Sequence, residues 1–288
     1  MIAKERIGAL AVEALLYEVA ATPKPGLVDR NNAGAHADMD FFTFMSSAAA
    51  LRGYFDTCAE IGIKAFRQTK PVFLPDLQKV GLKAEADMFA MTGGVNTHKG
   101  MIFSLGILAA CFGYLTSQGK AVSAQDVCQA AGVLCKGLCA AAYHDLQDKP
   151  EQQLTKGEKM YKRYGVTGVR GEAEAGFPSL CRLSLPHYRK CRAANMSIND
   201  SLVDTLLVLL TDTHDTNILG RHDWQKLQRV QSLARDALHL GGMRTEAGRR
   251  TVLAMDETFI KEWISPGGAA DLLAATHFLY ACEQNNRL

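Results

Sequence analysis

No stretch of this sequence reaches the run of about 18 apolar residues that a membrane span requires. The amino terminus, Met1-Ile2-Ala3-Lys4-Glu5-Arg6, brings charge ahead of an amphipathic pattern and has no apolar signal-peptide core. An excess of one charge sign is also missing: 32 Lys and Arg stand against 30 Asp and Glu, so the balance points to neither a nucleic-acid nor a membrane surface. The eight cysteines are scattered over apolar faces and form no compact framework. Cys135 and Cys139 share a helix face with Cys128 nearby, which admits a metal or disulfide reading. Buried, reduced thiols of a cytoplasmic protein fit that pattern better. Alternating apolar and polar residues of strand length are scarce, and Val72-Phe73-Leu74 is too short to carry a sheet. Internal repeats and low-complexity tracts are absent. These gaps argue against a disulfide scaffold, a membrane protein, a solenoid and a sheet-based fold.

What the chain does have is helical periodicity. A content of 48% apolar and 22% charged residues belongs to a soluble globular protein, and 288 residues lie near the size at which one core stops growing. In Lys4–Ala21, the residues Ile7, Leu10, Ala11, Ala14, Leu15 and Val19 recur at three- and four-residue steps and share one side. Asp40 is placed to cap a helix running to about Phe66. Further helices are expected over Asp76–Met91, Thr97–Thr116, Ser123–Ala142, Phe177–Cys191, Asp200–Leu210, Asp223–Leu240, Arg244–Trp263 and Ala269–Cys282. Asp145–Glu172 is polar and glycine-rich and reads as a long loop, functional or mobile. The expectation is a single all-α domain over residues 1–288, of roughly ten helices, with functional loops converging on one site.

Five polar islands interrupt this pattern. In Gly94-Val95-Asn96-Thr97-His98-Lys99-Gly100, Thr97 is expected to start a helix whose unpaired N–H groups and dipole suit a phosphate. The glycines there match neither a P-loop nor the dinucleotide fingerprint. In Thr22–Asp40, prolines flank Lys24, and Asp29, Asn31, His36, Asp38 and Asp40 crowd together more densely than solubility requires. Gly168–Pro178 offers Arg170 for bidentate phosphate contact, and Glu172 or Glu174 as base or metal ligand. Asp212-Thr213-His214-Asp215-Thr216-Asn217 has the oxygen donors that Mg²⁺ takes, although Asp and Thr are also ordinary caps. Ser265–Asp271 reads as a turn followed by a helix start.

Together the islands resemble the triphosphoribosyl-dephospho-CoA synthase family, which makes the prosthetic-group precursor for citrate lyase and, in related members, malonate decarboxylase. The resemblance rests on Thr22–Asp29, Asn31–Asp40, Gly94–Gly100 with Ile102–Gly106, Arg170–Pro178, Asp215-Thr216-Asn217 and Ser265–Leu272, in order along nearly the whole chain. In this chain Arg221 is followed by His222-Asp223, where the family usually has Arg-Gly-Gly. The resemblance implies that ATP is the sugar donor. Adenine leaves ribose C1, and the 2′-hydroxyl of 3′-dephospho-CoA attacks that carbon while the triphosphate is kept. The product would pass to a transferase serving an acyl carrier protein; a homo-oligomer is compatible with this reading.

Such chemistry needs a fixed triphosphate, a carboxylate near the oxocarbenium-like C1, a base for the hydroxyl and a proton or hydrogen bonds for adenine. On this reading Lys24, Asn31, His36, Asn96, Thr97, Lys99, Arg170 and Asn217 bind substrate, and Glu172, Asp212 and Asp215 hold Mg²⁺. The catalytic candidates are Asp29, Asp38, His98 and Glu172, with His98 or His36 as proton donor because imidazole titrates near neutrality. The same inventory would serve an all-helical, metal-dependent nucleotide phosphohydrolase. A non-catalytic scaffold would treat the islands as loop caps.

Overall fold

The computed structural model describes residues 3–66, 73–119, 121–146 and 149–286, which contain helices and no strand. The first are α1 (Lys4–Ala20), α2 (Phe41–Ala50), α3 (Arg52–Ala65), α4 (Leu74–Met91), α5 (Lys99–Thr116), α6 (Ala124–Leu134) and α7 (Leu138–Tyr143). They continue with α8 (Lys156–Tyr164), α9 (Gly168–Glu174), α10 (Leu185–Ala193), α11 (Ile198–Leu210), α12 (Thr216–Arg221), α13 (Trp224–His239), α14 (Glu246–Lys261) and α15 (Gly267–Asn286). Among the described residues that is fifteen α-helices, more than the ten or so expected, because several long periodic segments are broken.

The breaks have local causes. Asp40 caps α2 in a reciprocal box with Thr43, and the segment then turns at Leu51 before α3 resumes. Ser123 caps α6, and the chain leaves helix geometry at Cys135–Gly137, where Gly137 has φ +85°. The segment after Phe177 begins as a π-helical stretch over Ser179–Ser184 before α10. Asp145–Glu172 is not the long loop that its polarity suggests. Thr155 and Glu158 form a capping box that starts α8, α9 begins at Gly168, and the Tyr143 and Tyr161 rings stack 4.0 Å apart. Of Val72-Phe73-Leu74, Val72 lies outside the described residues, while Phe73 precedes α4 and Leu74 begins it.

Helix α5 runs through the core. By length and mean hydropathy (1.4) it qualifies as a membrane-crossing helix, contrary to the sequence expectation, but 72% of it is buried inside the protein. Its apolarity is that of a core helix packed on all sides. Backbones approach closely where α3 crosses it: a Cβ on Gly62 would lie 1.9 Å from the Ala110 carbonyl, and one on Gly113 would lie 2.6 Å from the Ala59 carbonyl. The start of α5 meets α15 just as tightly, since a Cβ on Gly100 would lie 1.8 Å from Asp271 Oδ2. Small residues thus fix the position of the first turn of α5, where His98 and Lys99 sit. Gly62→Ala should lower stability by about 1–3 kcal/mol through overpacking, measured by urea unfolding; an unchanged midpoint would mean that this crossing does not set the helix position.

Candidate active site

Three helix starts meet around a group of buried charges. Asp215 is 2% exposed and caps two of them. Its Oδ1 accepts the N–H groups of Asn217 (2.8 Å) and Ile218 (3.2 Å) in α12, and its Oδ2 accepts the Ala269 N–H (2.9 Å) in α15. The Gly268 N–H also bonds this carboxylate. Burial still pushes the Asp215 pKa up against those hydrogen bonds. With its oxygens occupied by backbone donors, Asp215 holds the starts of α12 and α15 in register.

The third start is that of α5. His98 occupies the cap position, one residue later than the Thr97 start expected, and is fully buried. Thr97 Oγ1 donates to Ser47 Oγ (2.7 Å), and Ser47 lies 2.7 Å from His98 Nδ1. With Thr97 as donor, the Ser47 hydroxyl proton is directed at Nδ1, which leaves the His98 proton on Nε2. Nε2 is buried without a hydrogen-bond partner. Desolvation first, and the nearby Lys24 charge second, lower the His98 pKa to about 3, so the ring is neutral at physiological pH. The Phe44 ring meets it edge-on with centroids 5.0 Å apart. Lys99 N–H is taken by Asn96 Oδ1 at 3.3 Å, and the Lys99 ammonium pairs with Glu85 at 2.7 Å on the outer side of α5.

Lys24 is 1% exposed and its ammonium is ion-paired with Glu18, itself 2% exposed. Asp29, also 1% exposed, folds the loop around this pair. It accepts from Thr22 Oγ1 (2.7 Å) and from the backbone N–H groups of Lys24 (3.0 Å), Asn31 (2.6 Å) and Asn32 (3.1 Å). Gly26 turns with φ +70°, and a Cβ there would lie 2.1 Å from the Ile264 carbonyl. Asn31 is exposed beyond the turn.

Asp271, four residues into α15, faces the same group of charges. Among the described residues it accepts no hydrogen bond, although it is only half-buried. Desolvation above all, then the carboxylates of Glu18 and Asp215, raise its pKa well above the usual carboxylate range. A carboxylate that repels its neighbours and lacks a partner is held ready for something else.

The remaining sequence candidates lie on the two flanks. On one, Glu172 accepts from Ser179 Oγ at 2.6 Å, and its pKa is raised by burial and, more weakly, by Asp212. Helix α9 approaches α12 there, with a Cβ on Gly168 reaching 3.2 Å from the Thr216 methyl. Arg170 turns instead toward Tyr143, with which it hydrogen-bonds, and passes close to Gly157. Glu174 accepts the N–H groups of Gly137 (2.7 Å) and Cys139 (2.9 Å) and so caps α7. On the other flank, His36 Nε2 lies 2.8 Å from Ser265 Oγ, and Asp38 is largely exposed with its carboxylate 3.7 Å from His36 Nδ1. Burial, then the Arg221 charge, lowers the His36 pKa. Asn217 packs on Gly267, its Nδ2 2.8 Å from where a Cβ would stand.

The structure therefore brings Lys24, His98 and Asp215 together, with Asp29 shaping the loop beside them. Lys99 and Arg170 make their contacts on separate flanks. Glu18 and Ser47 lay outside the polar islands, and Ser265 and Asp271, although inside one, were read only as a turn and helix start; two of the four carried a signal. Glu18 falls on the apolar face of α1, one step after Ala14 and Leu15, and Asp271 is the lone carboxylate in the apolar run from Gly267 to Cys282. A carboxyl whose native pKa is raised favours the fold while protonated; the fold loses that advantage as pH climbs from the unfolded value of about 3.9 through the raised native one. Asp271→Asn should therefore raise the thermal midpoint at pH 8 and leave it nearly unchanged at pH 4. An equal or falling midpoint at pH 8 would show that Asp271 is not strained by its neighbours.

Residues 4–288 match the family described as CitG: ATP:dephospho-CoA triphosphoribosyl transferase. A probable 2-(5''-triphosphoribosyl)-3'-dephosphocoenzyme-A synthase of Citrobacter koseri is 42% identical over 97% of this chain and 91% of its own length. Proteins of the same name from Lactiplantibacillus plantarum and Vibrio cholerae are 40% and 39% identical, over 93% and 96% of this chain and 94% and 88% of theirs. No solved structure matches it. With that agreement running the length of the polypeptide, the chain belongs to the ATP:dephospho-CoA triphosphoribosyl transferase family.

Proposed function

We propose that this protein transfers the triphosphoribosyl group of ATP to the 2′-hydroxyl of 3′-dephospho-CoA, and that the reaction takes place where α5, α12 and α15 begin. The observation that carries the assignment is Asp271: a carboxylate without a partner, beside two further buried carboxylates and an open helix start. In the first turn of α5, the Gly100 and Met101 N–H groups have no partner among the described residues, which suits a phosphate oxygen. Lys99 lies beside them and can exchange its half-exposed Glu85 pair for a phosphate at little cost.

Asp271 acts on the reacting atoms. As the C1–N9 bond of ATP breaks, its electron pair leaves with adenine, and the 2′-oxygen of the acceptor bonds C1. The hydroxyl proton passes to Asp271, whose raised pKa makes its ionised form a stronger base, and from there to the departing adenine. Charge developing on the sugar is met by Asp271 together with Glu18. His98 is neutral, so its role is to donate the Nε2 hydrogen bond to substrate, and protonating adenine falls to Asp271. Burial raises the Glu18 pKa, and the Lys24 ammonium opposes that shift while it holds the carboxyl in place.

The donor set also fits Mg²⁺. Asp212 and Glu172 offer hard carboxylate oxygens, those of Glu172 shared among the described residues only with Ser179, whereas the Asp215 oxygens are saturated by backbone N–H groups of two helices. In this reading Asp212 and Glu172 would hold the ion, which would supply positive charge to neutralise the triphosphate. The eight free thiols suit a reducing cytoplasm, and the product would be handed to a transferase that loads an acyl carrier protein.

Incubation with Mg-ATP and 3′-dephospho-CoA should release free adenine in step with product; inorganic phosphate or pyrophosphate would mean a phosphohydrolase instead. Asp271→Asn should lower kcat by about 10²–10⁴-fold, the contribution of a positioned base, with a folded protein by circular dichroism. His98→Ala should lose about 10²–10³-fold, as for a preorganised donor. Near-normal turnover in the Asp271 variant would remove that residue from the reaction.

A further inference from the structure

Next to the reaction centre, the described residues enclose an open depression of about 400 Å³, lined by Ala35, His36, Asp38, Arg221, His222 and Trp263 among others. Its wall is unusual. Trp263 ends α14 in the left-handed region (φ +56°), where glycine is normally found, and it leaves 55% of its surface exposed. An indole held in a disfavoured backbone conformation and turned toward water is what a stacking platform requires. His222 Nε2 donates to the Trp263 carbonyl at 3.1 Å and fixes that turn. Arg221 bonds the Ala35 carbonyl through Nη1 at 3.1 Å, so it reaches across the depression, and its other N–H groups make no hydrogen bond among the described residues. The floor connects to the reaction centre through the 2.8 Å contact of His36 with Ser265, two residues before α15 begins.

We infer that this depression is the acceptor subsite, taking the adenosine diphosphate end of 3′-dephospho-CoA with its base against Trp263 and its diphosphate on Arg221; the inference rests on the function proposed above. Two observations select the acceptor over ATP. One guanidinium matches a diphosphate, and the open α5 start with Lys99 is the larger set of phosphate donors. The reacting 2′-hydroxyl belongs to the sugar that carries this base. A base in the depression therefore directs that hydroxyl inward past Ser265 toward the first turns of α15, which carry Asp271.

The test is Trp263→Gly, which removes the ring and relieves the backbone, together with Arg221→Gln. Calorimetry with 3′-dephospho-CoA should show binding to the full-length protein weakened at least tenfold in either variant, with thermal midpoints unchanged or, for the glycine variant, raised. Steady-state assays should show KM for 3′-dephospho-CoA rising by a similar factor while KM for ATP is unchanged. Unaltered binding of 3′-dephospho-CoA, a rise in the ATP KM alone, or no binding of 3′-dephospho-CoA to the wild-type protein would each overturn the subsite. Absence of adenine release by a wild-type protein that still binds 3′-dephospho-CoA through Trp263 would instead count against the transfer reaction.

Discussion

The architecture of the site depends on a single carboxylate shared between two helices. Asp215 accepts the first N–H groups of α12 through one oxygen and those of α15 through the other. Each helix start carries a partial positive charge and several unpaired donors, and one buried anion satisfies both. Because α15 is a core helix, this pins its first turn, and Asp271 with it, against the start of α5. The arrangement has a cost. Burial first, then the nearby carboxylates of Glu18 and Asp215, raise the pKa of Asp271, and among the described residues Lys24 alone pairs with any of the three. Crowding of like charges with shifted pKa values is a common mark of functional sites.

The same logic gives different tasks to residues of similar type. Asp29 and Asp215 are saturated by N–H and hydroxyl donors, so they shape backbone. Asp271 accepts nothing from the described residues, which is why the proposed reaction is assigned to it. His98 is the donor counterpart: its Nδ1 is engaged by Ser47 and its Nε2 has no partner. Sorting groups by what already occupies their lone pairs separates scaffold from reactive atoms more sharply than residue type does.

Much of the fold was legible in the sequence because three- and four-residue apolar spacing reports a buried helical face directly. Asp40, Ser123 and Asp223 stand at the caps that their types suggest. What the spacing hid were short helices without a long apolar face, such as α8 and α9, and breaks such as Gly137. The polar islands also marked the right loops, but their density said nothing about direction. Lys24 and Lys99 look equivalent on paper, yet one is sealed in the core against Glu18 and the other pairs with Glu85 at the surface. Asp271 shows the opposite effect: it closes the Ser265–Asp271 island, whose turn and helix start explain it structurally, and only its isolation in an otherwise core helix marks it out.

If the starts of α5, α12 and α15 form one nucleotide site, as proposed, a bound nucleotide touches all three. Hydrogen–deuterium exchange with Mg-ATP tests it most directly, because ligand contact slows exchange of the amides it covers. New protection is expected in residues 96–102, 215–219 and 265–271, with little change in α13 and α14. Protection confined to other segments, or none at saturating Mg-ATP, would contradict it.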